Sequence, residues 1–160
     1  MGERFKIILS VLALSISIGC GSNKGTTEVR KKPKNIILLI GDGMGLSQVS
    51  ASYFFKETTP NFERFNTIGL IKTSAADALV CDSAASATAY ATGVATYNGA
   101  IAVDMQKQAV PTIIEIITAK HISTGIISTS SIMHATPASF YAHVSSRKSY
   151  DEIASYIPTS

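Results

Sequence analysis

A serine at the start of a run of very small residues is the first candidate for chemistry. In the stretch Val80–Thr88, Ser83 follows Asp82 and precedes Ala84 and Ala85. Small side chains let the start of a helix approach a ligand closely, and the free N–H groups and positive dipole end there favour an anion. The pattern thus places Ser83 as a nucleophile that could hold a phosphoryl group. The alternative is that Asp82 or Ser83 only caps an Ala-rich helix.

A glycine-rich loop, Gly41–Gly45, follows the apolar run Asn35–Ile40 and contains Asp42. The dinucleotide fingerprint G-x-G-x-x-G would need glycine where the sequence has Leu46, so that fingerprint fails. Asp42 would also place a carboxylate where a pyrophosphate lies, and like charges repel unless a cation lies between them. The loop by itself is compatible with a metal ligand and with a solvated turn residue.

The third group of candidates lies between residues 131 and 148. His134 and Thr136 are two residues apart and offer a nitrogen and a hydroxyl oxygen to a cation, although each alone is more typical of a hydrogen-bonded polar residue. Arg147 offers a planar fork of donors that suits two phosphate oxygens. Its neighbour Lys148 is expected to be solvated.

The elements that must position these residues are short strands alternating with helices. Apolar runs predict buried strands at 35–40, 67–73 and 124–129. Helices are predicted from Leu46 to about Lys56 and from Ser83 to Thr92, with a stop at Gly93. A third helix is predicted to have Pro111 at its first position and to continue through 112–120. This order predicts an α/β domain whose mostly parallel sheet is sandwiched by helices. Ligands of such sheets bind beyond the carboxyl ends of the strands.

The N-terminus is typical of an export signal. Arg4 and Lys6 precede an apolar run of about 12 residues, too short for the ~20 residues of a spanning helix. The run ends at Cys20 in a sequence that resembles a bacterial lipobox, so residues 1–20 are expected to be a signal peptide and Cys20 to be lipidated. The alternative is an ordinary signal peptide cleaved nearby. Residues 21–34 are expected to form a basic, flexible tether.

The distribution of charge along the chain excludes one class of function. Of the formal net charge of +3, the first 34 residues carry +5, from seven Lys+Arg against two Glu, which leaves −2 for the rest. A basic nucleic-acid-binding face therefore has no support. The other cysteine, Cys81, has no intrachain partner once Cys20 carries lipid, and it is expected to be a small buried hydrophobe.

From about Asn35 to Tyr150, the sequence resembles the N-terminal part of alkaline phosphatases. The stretch Val80–Thr88 is similar to the active-site signature of that family at every specified position. The motifs also follow in the family's order, from a Gly-Asp-Gly metal loop through Asp-Ser-Ala and a His-or-Asp, x, Thr-or-Ser pair to Ser-Arg. With His134, the sequence resembles the His-type branch.

The resemblance implies phosphate monoester hydrolysis through a phosphoserine intermediate, with two zinc ions and one magnesium ion. It implies that Asp42 bridges one zinc and the magnesium, and that Ser83 is the nucleophile and a metal ligand. His134 and Thr136 would lie at the magnesium position, and Arg147 would bind substrate phosphate. Members of the family are often homodimers, and the lipobox adds the expectation of a membrane-anchored lipoprotein in the periplasm or on the cell surface.

The match stops short of the family's full length. The remaining zinc and magnesium ligands of the family come after the matched region, and residues 35–160 are therefore expected to form a partial domain that lacks its C-terminal half. The chain is expected to be a truncated product or fragment, inactive alone. The alternatives are a non-catalytic lipoprotein remnant and a related metal-dependent phosphodiesterase or sulfatase; the Asp82-Ser83-Ala84 context favours the monoesterase.

Overall fold

The structure is a computed structural model that describes residues 33–157. Of these residues, 33–39 belong to one unit and 40–157 to another, and all of the helices named here belong to the second. The α-helices are α1 (Leu46–Phe55), α2 (Ser83–Thr92), α3 (Ile113–Thr118), α4 (Ala135–Ala138) and α5 (Tyr150–Ala154), with a 3₁₀ turn at Asn61–Arg64. Over the described range, no helix has the length and apolar character needed to cross a membrane.

Helix α2 has the predicted bounds because both of its ends are capped. The side chain of Asp82 accepts a hydrogen bond from the backbone N–H of Ala85 at 2.9 Å, which satisfies one of the free donors of the first turn. Gly93 adopts a left-handed conformation with φ of 75°, and its N–H donates to the carbonyl of Ala89. The predicted helix at Leu46 is likewise confirmed as α1.

Helix α3 starts later and ends earlier than the sequence indicates. Pro111 precedes the N-cap rather than occupying the first helical position, so that part of the prediction is wrong. Thr112 is the N-cap instead, because it forms a capping box with Glu115: each side chain accepts a hydrogen bond from the backbone N–H of the other, at 3.2 and 2.7 Å. Glu115 also contacts His143 at 2.9 Å, which ties α3 to the segment after α4.

The core lies where α2 packs against α4. Four of the seven residues in its buried cluster are alanines. The cluster consists of Ala84, Ile101, Ala135, Ala138, Ala142, Val144 and Ile153. Alanine on both helices lets their backbones approach closely. Two members of the cluster, Ile101 and Val144, form an antiparallel bridge with backbone hydrogen bonds of 3.0 and 2.9 Å.

A fully buried hydroxyl in α2 joins this core to the chain that follows. Thr88 Oγ1 donates to the carbonyl of Ala100 at 3.0 Å and accepts from the N–H of Ala102 at 2.9 Å. Ser139 lies 3.3 Å from the same hydroxyl. Because a buried N–H without a partner costs about 1–3 kcal/mol, these bonds fix how residues 100–102 pass α2.

The predicted strands are not formed. In the described part of the chain, residues 35–40, 67–73 and 124–129 take part in no strand ladder, and the two isolated bridges lie elsewhere. Their apolar side chains are exposed: Leu70 is 99% and Ile127 100% accessible. A strand exists only when neighbouring strands pair with its N–H and C=O groups, and an apolar run cannot supply those partners. The prediction of buried strands at these three segments is therefore wrong for this structure.

Candidate active site

Ser83 and Arg147 lie in direct contact although 64 residues separate them in the chain. The guanidinium of Arg147 donates through Nη1 to Ser83 Oγ at 2.9 Å and to Asp82 Oδ2 at 3.1 Å. Ser83 is the first residue of α2, so its hydroxyl lies among the free N–H groups of the helix start. The arrangement brings a hydroxyl, a cation and a helix N-terminus to one point, which suits an anion.

Asp82 has two roles at this point, as cap of α2 and as ion-pair partner of Arg147. Partial burial disfavours its charged form, but hydrogen bonds from the N–H of Ala85 and from Arg147 outweigh that effect and hold the pKa of Asp82 below its usual value. The carboxylate therefore stays charged near neutral pH and keeps the guanidinium over Ser83. Capping, the alternative drawn from the sequence, thus coexists with the contact to Arg147.

The loop after the bridge residue Val144 brings Arg147 to α2. The backbone N–H of Arg147 donates to the carbonyl of Gly99 at 2.8 Å, so the segment that follows α2 fixes the backbone of the arginine. Sequence reasoning missed this segment, Tyr97–Gly99. The signal that was available is the Asn-Gly pair at 98–99, which marks a turn but not its contacts.

Asp42 and Thr136 form a second pair, 94 residues apart in the chain. The hydroxyl of Thr136 donates to Asp42 Oδ2 at 2.8 Å, and both groups are accessible to solvent. A carboxylate and a hydroxyl are hard oxygen donors of the kind that Mg²⁺ prefers. The tertiary structure thus joins two of the predicted metal ligands.

His134, the other residue of the predicted magnesium position, is the N-cap of α4. Its side chain makes no capping hydrogen bond, and its ring lies 6.0 Å from the ring of Tyr150 in a tilted arrangement. In residues 33–157, no group of three or more His, Cys, Asp and Glu side chains could hold a metal ion. The described residues therefore offer oxygen donors for one hard cation and do not complete a zinc site.

Cys81, next to Asp82, is half-buried rather than fully buried as expected. Its thiol donates to the carbonyl of Asp82 at 3.4 Å. Burial and the nearby carboxylates of Asp82 and Asp77 raise the pKa of the thiol, so it stays protonated near neutral pH. A protonated thiol is a weak nucleophile, so nothing in its surroundings activates Cys81.

Comparison with known proteins identifies the family. The family model described as alkaline phosphatase matches residues 33–160. The chain belongs to the alkaline phosphatase family. Members of this family are phosphatases, that is, hydrolases, and the resemblance drawn from the motifs is confirmed.

Curated alkaline phosphatases from several bacteria are similar to this chain. The enzyme of Escherichia coli K12 is 46% identical over 130 residues, which cover 75% of this chain and 28% of that protein. Alkaline phosphatase 4 of Bacillus subtilis is 40% identical over 171 aligned positions, which cover 96% of this chain and 37% of that protein. The chain therefore spans about a third of the length of the curated relatives that it matches.

Solved alkaline phosphatases share the backbone arrangement. The enzyme of the Antarctic bacterium TAB5 superposes with a TM-score of 0.76 at 56% identity, covering 78% of this chain and 36% of that enzyme. The cold-active enzyme of a Shewanella species gives a TM-score of 0.69 at 44% identity, covering 72% of this chain and 31% of that enzyme. A variant of the TAB5 enzyme in which aspartate replaces a histidine was solved with Mg bound. Since these enzymes have the α/β fold, the predicted fold class is supported at that level, although no sheet is formed within residues 33–157.

Proposed function

We propose that residues 33–157 contribute the nucleophile and the phosphate-binding arginine of a phosphomonoesterase. The observation that carries the proposal is the contact of 2.9 Å between Arg147 Nη1 and Ser83 Oγ at the start of α2. A phosphate ester bound there would meet the hydroxyl, the guanidinium and the free N–H groups of the helix together. Family membership supports the same reaction class.

Ser83 would attack the phosphorus atom. The bond between Ser83 Oγ and phosphorus forms as the bond from phosphorus to the ester oxygen breaks, which releases the alcohol and leaves a phosphoserine. Water then cleaves the new bond and releases inorganic phosphate. Arg147 would hold two phosphate oxygens with the N–H groups that Ser83 and Asp82 do not use, and the helix N-terminus would stabilise the added negative charge.

Membership of the family implies bound metal ions. The chemistry of the side-chain donors decides which of these ions residues 33–157 could hold. Asp42 and Thr136 fit Mg²⁺, because their oxygens already lie within 2.8 Å of each other. Mg²⁺ held there would supply electrostatic stabilisation of negative charge, the chemistry that metal ions contribute to phosphoryl transfer. The predicted roles of His134 and Ser83 as ligands stay predictions. Residues 33–157 do not supply a sufficient ligand set for the predicted zinc ions.

Replacement of Arg147 tests the proposal. The variant is made in a chimaera in which residues 33–157 replace the matching part of the TAB5 enzyme, to which this chain is 56% identical. Arg147→Ala removes charge-assisted hydrogen bonds of about 1.5–3 kcal/mol, so kcat/KM for a phosphate monoester should fall roughly 10- to 150-fold. Inhibition by inorganic phosphate should weaken in parallel.

Arg147→Lys is the matched control, because it keeps the charge and loses the planar fork. It should retain part of the activity that Arg147→Ala loses. Unchanged phosphate inhibition in both variants would contradict the proposed role of Arg147, and a folded chimaera without turnover would contradict the proposed function as a whole.

We also propose that the protein is exported and anchored by lipid at Cys20, a residue outside the described range. A cysteine that carries acyl chains would hold the chain at a membrane, whereas Ser cannot accept this modification. Cys20→Ser should therefore move the protein from the membrane fraction to the soluble fraction, and Cys81→Ser, the control, should not. Membrane retention of Cys20→Ser would contradict lipid anchoring.

A further inference from the structure

We propose that Tyr97, Asn98 and Gly99 form a clamp that positions Ser83 and Arg147 relative to each other. This inference rests on the proposed function and adds positioning residues to it. The three residues, called the 97–99 clamp below, lie between α2 and the bridge residue Ile101. They contact both pieces of chain that carry the reacting groups.

Asn98 holds the piece of chain that leads into the nucleophile. Its Oδ1 accepts from the backbone N–H of Asp82 at 2.7 Å, and its Nδ2 donates to the carbonyl of Val80 at 2.9 Å. Both ends of the side-chain amide are therefore used, and they hold the backbone on either side of Cys81. The next residue after this grip is Ser83, so the position of its hydroxyl depends on it.

Tyr97 and Gly99 hold the piece of chain that leads to the arginine. The hydroxyl of Tyr97 donates to the carbonyl of Ser145 at 2.9 Å, and burial together with the carboxylate of Asp104 raises the pKa of Tyr97, which keeps the hydroxyl protonated as a donor. The carbonyl of Gly99 accepts from the N–H of Arg147 at 2.8 Å. Gly99 has φ of 93°, a conformation that disfavours residues with a Cβ atom.

The clamp matters because the reacting groups come from distant parts of the chain. A displacement of about 1 Å at a catalytic group can cost on the order of 10²-fold in rate. Each hydrogen bond of the clamp ends within two residues of Ser83 or Arg147 or on Val80, three residues before the nucleophile. A small shift at the clamp would therefore reach the 2.9 Å contact between the guanidinium and the hydroxyl.

Tyr97→Phe in the chimaera with the TAB5 enzyme is the central test, because it deletes one hydrogen bond and keeps the ring. The inhibition constant for inorganic phosphate should rise roughly 2- to 10-fold, as expected for one neutral hydrogen bond. Tyr90→Phe is the control: this tyrosine is exposed on α2, and none of the described residues hydrogen-bonds with its hydroxyl. It should leave the inhibition constant unchanged.

Combination with Arg147→Ala separates a positioning role from a merely structural one. If Tyr97 acts through Arg147, Tyr97→Phe should have no further effect on phosphate inhibition once Arg147 is absent. Independent, multiplying effects of the two changes would overturn the inference, and so would an unaltered inhibition constant in Tyr97→Phe alone. An Arg147→Ala variant with unchanged phosphate inhibition would instead refute the proposed function.

Asn98→Ala supplies a second, separate measurement on the nucleophile side. It should lower kcat by up to about 10²-fold, with a smaller change in the phosphate inhibition constant, because it loosens the backbone before Ser83 rather than Arg147. A change in KM alone, with kcat intact, would overturn the assignment of Asn98. Because Tyr97→Phe is nearly isosteric, the inference stays testable even if Asn98→Ala does not fold.

Discussion

Ser83→Ala in the chimaera is expected to abolish turnover of phosphate monoesters, with a loss on the order of 10⁴- to 10⁶-fold in kcat. The hydroxyl is the group to which the phosphoryl would be transferred, and Cys81 is not placed to replace it, because its thiol donates to the carbonyl of Asp82 whereas Arg147 contacts Ser83. The measurements are steady-state turnover and trapping of the phosphoprotein at low pH, which should find a phosphate on Ser83 of the parent and none in the variant.

Ser86→Ala is the matched control for this change. Ser86 lies one turn further along α2, and its hydroxyl donates back to the carbonyl of Asp82 at 2.8 Å, whereas the side chain of Arg147 donates to Asp82 and Ser83. It should keep phosphoprotein formation and most of the turnover. Recovery of the trapped phosphate on a residue other than Ser83 would refute the assignment of the nucleophile.

The 160-residue chain by itself is expected to show no turnover above that of its own Ser83→Ala variant, even with zinc and magnesium supplied. Asp42 and Thr136 offer oxygens to one hard cation, but residues 33–157 contain no group of three His, Cys, Asp or Glu side chains for a further metal. An unactivated serine hydroxyl is a poor nucleophile near neutral pH. Catalysis would therefore fail for lack of activation even where phosphate binds.

The assay is hydrolysis of a chromogenic phosphate monoester by purified residues 21–160, with each metal added in turn. Zinc-dependent activity that disappears in Ser83→Ala would show that the described residues suffice and that this account of the metal ligands is wrong. Phosphate binding without turnover would match the expected result and would agree with the alternative of a non-catalytic, phosphate-binding chain.

Local features of this protein were determined by the sequence alone. The bounds of α2 follow from Asp82 at one end and Gly93 at the other, because capping and left-handed backbone are properties of those residues and their neighbours. Ser83 was placed at the helix start for the same reason. The family could be recognised because its signature lies within one continuous stretch, Val80–Thr88.

Only the tertiary structure decided which distant residues meet. Asp42 contacts Thr136, Arg147 contacts Ser83, and the ring of His134 lies near that of Tyr150. The tertiary structure also decided that the apolar runs do not form strands. A side-chain pattern indicates a preference for burial, but it does not specify the backbone partner that a strand needs. The sequence also could not predict the contacts of Tyr97 and Asn98 with the chain before Ser83 and before Arg147. These hydrogen bonds end on backbone carbonyl and N–H groups, which nearly every residue type carries, so they leave no pattern in the sequence.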